Sequence, residues 1–278
     1  MEKQVLHIDC PDEKGLVYRI TEVLYRHNLN IVRNQEFVDT VTQHFVMRTA
    51  YEGVGTHNGL LNDLKKALPD TANIRHGEIG NSSIVLMATK EPHCIGDLLL
   101  RYSYGEIPGQ IKAVISNYEK LGYLAEAFDI PFHFISHKNI DRSVHEEKIH
   151  EVLTSYEPDY IVLAKYMRIF SSEFVDHFND RILNIHHSFL PAFIGANPYQ
   201  QAYNRGVKII GATAHFVTNQ LDEGPIIAQD VLPINHSYTA DEMARAGRDV
   251  EKIVLAKAVK LVLEERVFIR GNRTIVFE

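Results

Sequence analysis

Apolar residues along this chain change their spacing near residue 80. Before that point short extended segments alternate with helical ones. VLHI reads as a brief strand that Pro11 and Asp12 interrupt, and GLVYRITEVLYRHN then sets Leu16, Ile20, Val23 and Leu24 on one helical face. NIVRNQEFVDT and HFVMRTAYEG follow as two β-branched and aromatic segments across a polar turn. THNGLLNDLKKALP is a second amphipathic helix stopped by Pro69, and TANIRHGE closes the set. The order strand, helix, strand, strand, helix, strand predicts a ferredoxin-like βαββαβ unit over residues 1–80.

From residue 81 to 278 the rhythm is that of apolar strands separated by helices. IVLMAT, IKAVISNY, PFHFISH, YIVLAKYM, RILNIHH and KIIGATAHFV are strand-like, with SVHEEKIHEVLTSY and SSEFVDHFND among the helices between them. Such alternation predicts an α/β domain with a mainly parallel, Rossmann-like sheet covered on both faces. A long helix, TADEMARAGRDVEKIVLAKAVKLVLEE, carries Met243, Val250, Val254, Leu255 and Val259 at helical spacing, and RVFIRG with TIVFE reads as a terminal hairpin.

Length agrees with two domains: 278 residues against a prior of roughly 150 per domain. Lys+Arg 29 against Asp+Glu 36 gives a net charge of -7, with no basic excess to neutralise a phosphate backbone, so nucleic acid is not expected as a partner. No run approaches the ~20 apolar residues that cross a bilayer, and the opening MEKQVLHIDCPDEKG is charged where a signal peptide is apolar. Neither a membrane nor export is therefore expected, and the cytoplasm is. Cys10 and Cys94 form no disulfide framework and no CxxC pair. Cys94, beside His93 at a helix start, reads as a small buried hydrophobe rather than an activated thiolate. Fifteen histidines raise the question of a metal, but no HExxH is present, and His186 and His187 face opposite ways on a strand. No metal is expected.

In a parallel sheet ligands gather at the carboxyl ends of the strands near a topological switch point. RILNIHHS has a polar end there. Strand side chains alternate, so Asn184 and His186 share one surface. The strand KIIGATAHFV adds His215, and the loop from Thr218 to Pro225 carries Asp222 and Glu223. Asp222 follows His186 by 36 positions, one helix plus one strand, enough to bring a carboxylate back beside the imidazole. Asn, His and Asp without a Ser or Cys nucleophile suit direct attack of water or an amine on a carbonyl. A polar strand end followed by a capped loop accounts for the same residues without chemistry, and spacing alone leaves both readings open.

The stretch LNIHHSFLPAFIGANPYQQAYNRGVKIIGATAHFVTNQLDEGPIIAQD resembles the signature region of the folate-dependent formyltransferase superfamily. Its Asn, His, Asp triad falls on Asn184, His186 and Asp222. His187 and Phe189 in HHSFLPAF are similar to the deformylase members rather than the HPSLLP of transferases. CPDEKGLVYRI, Cys10 to Ile20, is similar to the opening of an ACT domain. The likeness spans nearly the whole chain, including HCIGDLL and GRDVEKIVLAKAV.

The resemblance implies hydrolysis of 10-formyltetrahydrofolate to formate and tetrahydrofolate, with folate as substrate and no cofactor. Asp222 would activate water while His186 and Asn184 polarise the formyl oxygen. The segment Leu163 to Ile169, with Met167, Arg168 and Ile169 at its end, would hold the pterin, with the Asp222 loop on the other side; Met167 and Ile169 equally suit a core, as apolar residues after a strand usually do. His93 would line the site, and His215, which ends a strand beside it, would orient Asp222. The alternative is formyl transfer to an amine of the glycinamide ribonucleotide type. Against it, ATKEPHCIGDLLL offers a phosphate one glycine, a proline without N–H and a repelling Glu91, although Lys90 favours it. A further alternative is an amino-acid sensor that has lost its activity. ACT resemblance implies a homo-oligomer, at least a dimer, with glycine or methionine as effector at Asp12, Gly15, Leu16, Asn30 and Ile31, where a glycine lets a carboxylate approach a helix N-terminus.

Overall fold

A computed structural model describes residues 4–53, 57–192 and 198–278. The chain divides into two compact units. Met1–Asn81 form the first together with Glu264–Phe268 and Phe277–Glu278, while Ser82–Leu263 and Ile269–Val276 form the second.

In the first unit the elements are β1 (Gln4–Pro11), α1 (Leu16–Arg26), β2 (Asn30–Asp39), β3 (His44–Glu52), α2 (His57–Ala67) and β4 (Asn73–Glu78). Its sheet has the order β2-β3-β1-β4, antiparallel at every pairing. The central strand β1 is longer than VLHI, because pairing with β3 continues to Pro11↔His44. Period-2 burial carries Leu6, Ile8 and Cys10 into one core with Leu16, Ile20, Val23 and Leu24 of α1. Gly15 precedes α1 at φ 91°, a left-handed conformation that suits glycine.

The sequence pattern assigns all of 81–278 to the second domain, whereas two tail segments return to the first unit. The first of these is anchored by Arg48 of β3, with a relative exposure of 0%. A buried guanidinium needs acceptors. Arg48 finds them in the carbonyls of Glu264 at 3.0 Å and Glu265 at 2.8 Å. His7 Nε2 lies 2.8 Å from the same Glu265 carbonyl.

The second unit runs β5 (Ser83–Ala88), α3 (His93–Ser103), β6 (Gln110–Ser116), α4 (Gly122–Ala127), β7 (Phe132–Phe134), α5 (Arg142–Tyr156), β8 (Tyr160–Leu163), α6 (Ser172–His177), β9 (Ile182–His186), α7 (Pro198–Arg205), β10 (Ile209–Phe216), β11 (Ile226–Pro233) and α8 (Ala240–Leu263); β12 (Val267–Arg270) and β13 (Arg273–Val276) pair as a separate hairpin. The sheet order is β11-β10-β9-β8-β5-β6-β7. Strands β5 to β9 are parallel, and β10 is antiparallel to both β9 and β11. The chain leaves β5 toward β6 on one side and later returns to β8 on the other, so the strand order reverses between β5 and β8. Apolar side chains of β5, β6, β8 and β9 pack on Ile149 and Leu153 of α5 and Phe174 and Val175 of α6. The buried stripe of α8 includes Met243, Gly247, Val250, Val254 and Val259, and also Glu251. No helix of the described residues is long and apolar enough to cross a membrane.

Candidate active site

A cavity of about 390 Å³ lies where β8 and β9 end, lined by the segment after β8, the face of β9 and β10, and the loop after β10. Asn184 and His186 share a strand face, and the antiparallel register sets His215 opposite Asn184 and Thr213 opposite His186. Directly opposed residues project from the same side of a sheet, which gathers the carboxamide and both imidazoles. The loop after β10 closes the group from above. His186 Nδ1 lies 3.2 Å from Asp222 Oδ1, and His215 Nε2 lies 3.9 Å from the same oxygen. Asp222 takes φ 58°, a left-handed backbone that aspartate tolerates but that stores strain.

These contacts fix which atoms donate. His215 Nδ1–H donates to the Phe216 carbonyl at 2.9 Å. Its Nε2 is then an acceptor, and Asn184 Nδ2 donates to it at 3.2 Å. Burial lowers the pKa of His215, which keeps the ring neutral in this role. Thus His215 bonds Asn184 more closely than it approaches Asp222. Burial pushes the Asp222 carboxyl up, yet the hydrogen bond from His186 and the attraction of the surrounding histidines hold it below the usual carboxylate range. Asp222 is therefore an anion at neutral pH. His186 Nε2 is buried and has no hydrogen-bond partner among the described residues.

Met167 and Ile169 are 60% and 62% exposed, so they form a wall of the cavity and are not packed in the core. Arg168 lines it too. The Met167 N–H donates to Thr89 Oγ1 at 3.0 Å, which pins this segment to the end of β5. His93 is not among the cavity-lining residues. Its Nε2 is 2.8 Å from Glu251 Oε2, inside a buried cluster. Tyr199 Oη–H donates to Glu251 Oε1 at 2.7 Å, and Lys165 Nζ lies 3.2 Å from Glu251 Oε2. Burial pushes the Glu251 carboxyl up, but the His93 bond, the Lys165 charge and the Tyr199 bond outweigh it and hold the pKa near 2. The same surroundings, burial first and Lys165 next, lower His187 to about 4.

Among the described residues, one set of side chains has metal-ligand spacing: His93, Cys94 and Glu251, with ligand atoms within 4.8 Å of one another. The Lys165 ammonium already neutralises Glu251 there, and burial pushes the Cys94 thiol up, away from the thiolate that a metal takes. Neither Glu251 nor Tyr199 was expected from the sequence. A carboxylate inside the apolar stripe of α8 is the signal that marks the cluster.

In the first unit Asp12, Gly15 and Asn30 are exposed, Ile31 is half-buried and Leu16 packs in the core. Among the described residues no side chain caps the N-terminus of α1.

Residues 82–259 match the formyl transferase family. A curated relative from Haemophilus influenzae, formyltetrahydrofolate deformylase, is 54% identical over 99% of both chains. The crystal structure of a formyltetrahydrofolate deformylase from Pseudomonas syringae pv. tomato superposes with a TM-score of 0.95 at 36% identity, covering 99% of this chain and 94% of that one. By contrast, a glycinamide ribonucleotide transformylase from Symbiobacterium toebii matches 72% of this chain and 95% of its own, with a TM-score of 0.68 and 31% identity. The chain belongs to the formyltetrahydrofolate deformylase branch of the formyl transferases.

Proposed function

We propose that this protein hydrolyses 10-formyltetrahydrofolate to formate and tetrahydrofolate. The observation that carries the reading is the ionised Asp222 3.2 Å from His186 beside Asn184, in a cavity whose exposed apolar walls suit a pterin. Asp222 orients a water and takes its proton as the oxygen adds to the formyl carbon. His186 meets Asp222 through Nδ1 and leaves its Nε2, which has no partner among the described residues, for the carbonyl oxygen. The Asn184 carboxamide, held by His215, keeps its second N–H for the same oxygen. The C–N10 bond then breaks, the proton taken from water passes to N10, and the formic acid released gives up its remaining proton to solvent as formate. Met167, Arg168 and Ile169 bound the folate; no step requires a cofactor or a metal.

The direct test incubates the protein with 10-formyltetrahydrofolate and no amine. Formate and tetrahydrofolate appearing in equal amounts support hydrolysis. Release only with an added amine supports a transferase, and inertness in both conditions supports a sensor.

We read the first unit as an ACT domain that pairs two chains and binds an amino acid, glycine or methionine. Its strand order and the CPDEKGLVYRI segment support this, as does the uncapped N-terminus of α1 beside Gly15, open to a carboxylate. Strand β2 is a sheet edge. Two copies paired antiparallel about Asn34 and Gln35 set Arg33 opposite Glu36, which favours self-association. A melting temperature raised by glycine or methionine, and lost in Gly15→Val, tests the effector site. Both cysteines are free and buried, which suits a reducing compartment such as the cytoplasm.

A further inference from the structure

In an open α/β sheet the crevice offered to a ligand lies where the strand order reverses, here between the ends of β5 and β8. Among the described residues, four side chains meet there. His93 follows β5, Lys165 follows β8, and both reach Glu251 of α8, with Tyr199 on its other oxygen. Glu251 is 1% exposed and Lys165 is 5% exposed. The cluster is closely packed: a Cβ at Gly247 would fall 2.0 Å from the Tyr199 hydroxyl, so only glycine leaves it room. Lys165 holds φ 65°, a backbone conformation that favours glycine, yet it carries a long charged side chain. The cavity that holds Asn184, His186 and Asp222 is bounded on this side by Lys165, and no residue of the segment after β5 lines it.

We propose that Lys165, locked to Glu251, is the specificity-determining residue that closes the acceptor side of this site and leaves water as the acceptor for the formyl group. The inference rests on the hydrolase reading above and adds what enforces it. An amine acceptor needs room beside the formyl carbon for its own substituent, and in this proposal the side chain of Lys165, which lines the cavity and ends at Glu251, takes up that room. Glu251 fixes the ammonium at the far end, so the stem cannot swing aside without leaving a buried carboxylate without its cation. With the stem removed, the space ends in a carboxylate that attracts the ammonium form of a small amine, while its free base attacks. In that reaction the amine nitrogen bonds the formyl carbon, the C–N10 bond breaks, and one amine proton passes through Asp222 to N10.

The test compares wild type, Lys165→Gly, Lys165→Met and the double variant Lys165→Gly/Glu251→Gln, each verified as folded by circular dichroism. Glycine suits the backbone at 165, and the double variant removes the carboxylate charge that the single one leaves unpaired. Each protein receives 10-formyltetrahydrofolate with glycinamide, and formate and N-formylglycinamide are quantified separately. Wild type should release formate alone, and whatever turnover Lys165→Met keeps should give formate without N-formylglycinamide, since its side chain still fills the space. An opened variant, Lys165→Gly or the double, should divert product to N-formylglycinamide at least about tenfold above wild type, the scale on which a pocket contact discriminates. Equal diversion by Lys165→Met, or no diversion by either opened variant while wild type releases formate, overturns the role of Lys165 and leaves hydrolysis standing. A wild type that releases no formate without amine instead defeats the hydrolase reading, and this inference with it.

Discussion

Replacing Glu251 by Gln keeps the shape of the side chain and removes its charge. Lys165, 5% exposed, is then left as a buried ammonium with no counter-ion. Breaking a buried pair by removing one partner costs about 3–5 kcal/mol. The depressed acidity leads to the same scale: a carboxyl held near 2 instead of 4.5, at ~1.4 kcal/mol per pH unit, corresponds to roughly 3 kcal/mol. Because the folded pKa is the lower one, this stabilisation is complete above the unfolded value and is lost as pH falls from about 4.5 toward 2. At pH 7 Glu251→Gln should therefore lower the melting temperature of the second unit by roughly 6–20 °C. Adding Lys165→Met should recover part of that loss, since the stranded charge is gone. A Glu251→Gln protein within about 1 kcal/mol of wild type, or a double variant as unstable as the sum of its parts, would refute the claim that the pair is coupled.

Three further outcomes follow from the site and the core. Asn184→Ala removes one oxyanion donor and should lower kcat by about 10²–10³ with little change in KM, read in a steady-state formate assay. Asp222→Asn should bind folate but lose turnover by roughly 10²–10⁴, and retention of near-normal turnover would remove Asp222 as the base. His7 and His187 have folded pKa values of about 3 and about 4, mainly through burial. Both are neutral in folded and unfolded chains above about 6.5, and below it the unfolded chain protonates first. Stability should thus fall on acidification from pH 7 to 5 by roughly 2 kcal/mol per histidine, measured by urea titration at the two pH values; a flat profile contradicts their burial as neutral rings.

Much of this site was legible in the sequence because strand alternation is local: Asn184 and His186 share a face whatever surrounds them. His215 and Asp222 needed only the length of the intervening chain. The antiparallel turn at the end of the sheet was not legible. IIAQDVLP follows a loop of Gly and Pro and is buried chiefly at Ile227 and Ala228, so its short apolar run shows little period, and β11 is known only from its pairing with β10. His93 was expected at the substrate, yet its partner is Glu251, 158 residues away in sequence. No spacing rule reaches that distance, although a Glu at a buried helical position was itself a warning. The tail presented the same difficulty, since its return to the first unit depends on what Arg48 requires in three dimensions.

The most direct test of water as the acceptor is an isotope measurement. When wild-type protein turns over 10-formyltetrahydrofolate in water enriched in oxygen-18, without amine, each formate released should carry one solvent oxygen beside the original formyl oxygen. Formate without label, or folate that stays formylated until an amine is supplied, would contradict hydrolysis at Asn184, His186 and Asp222.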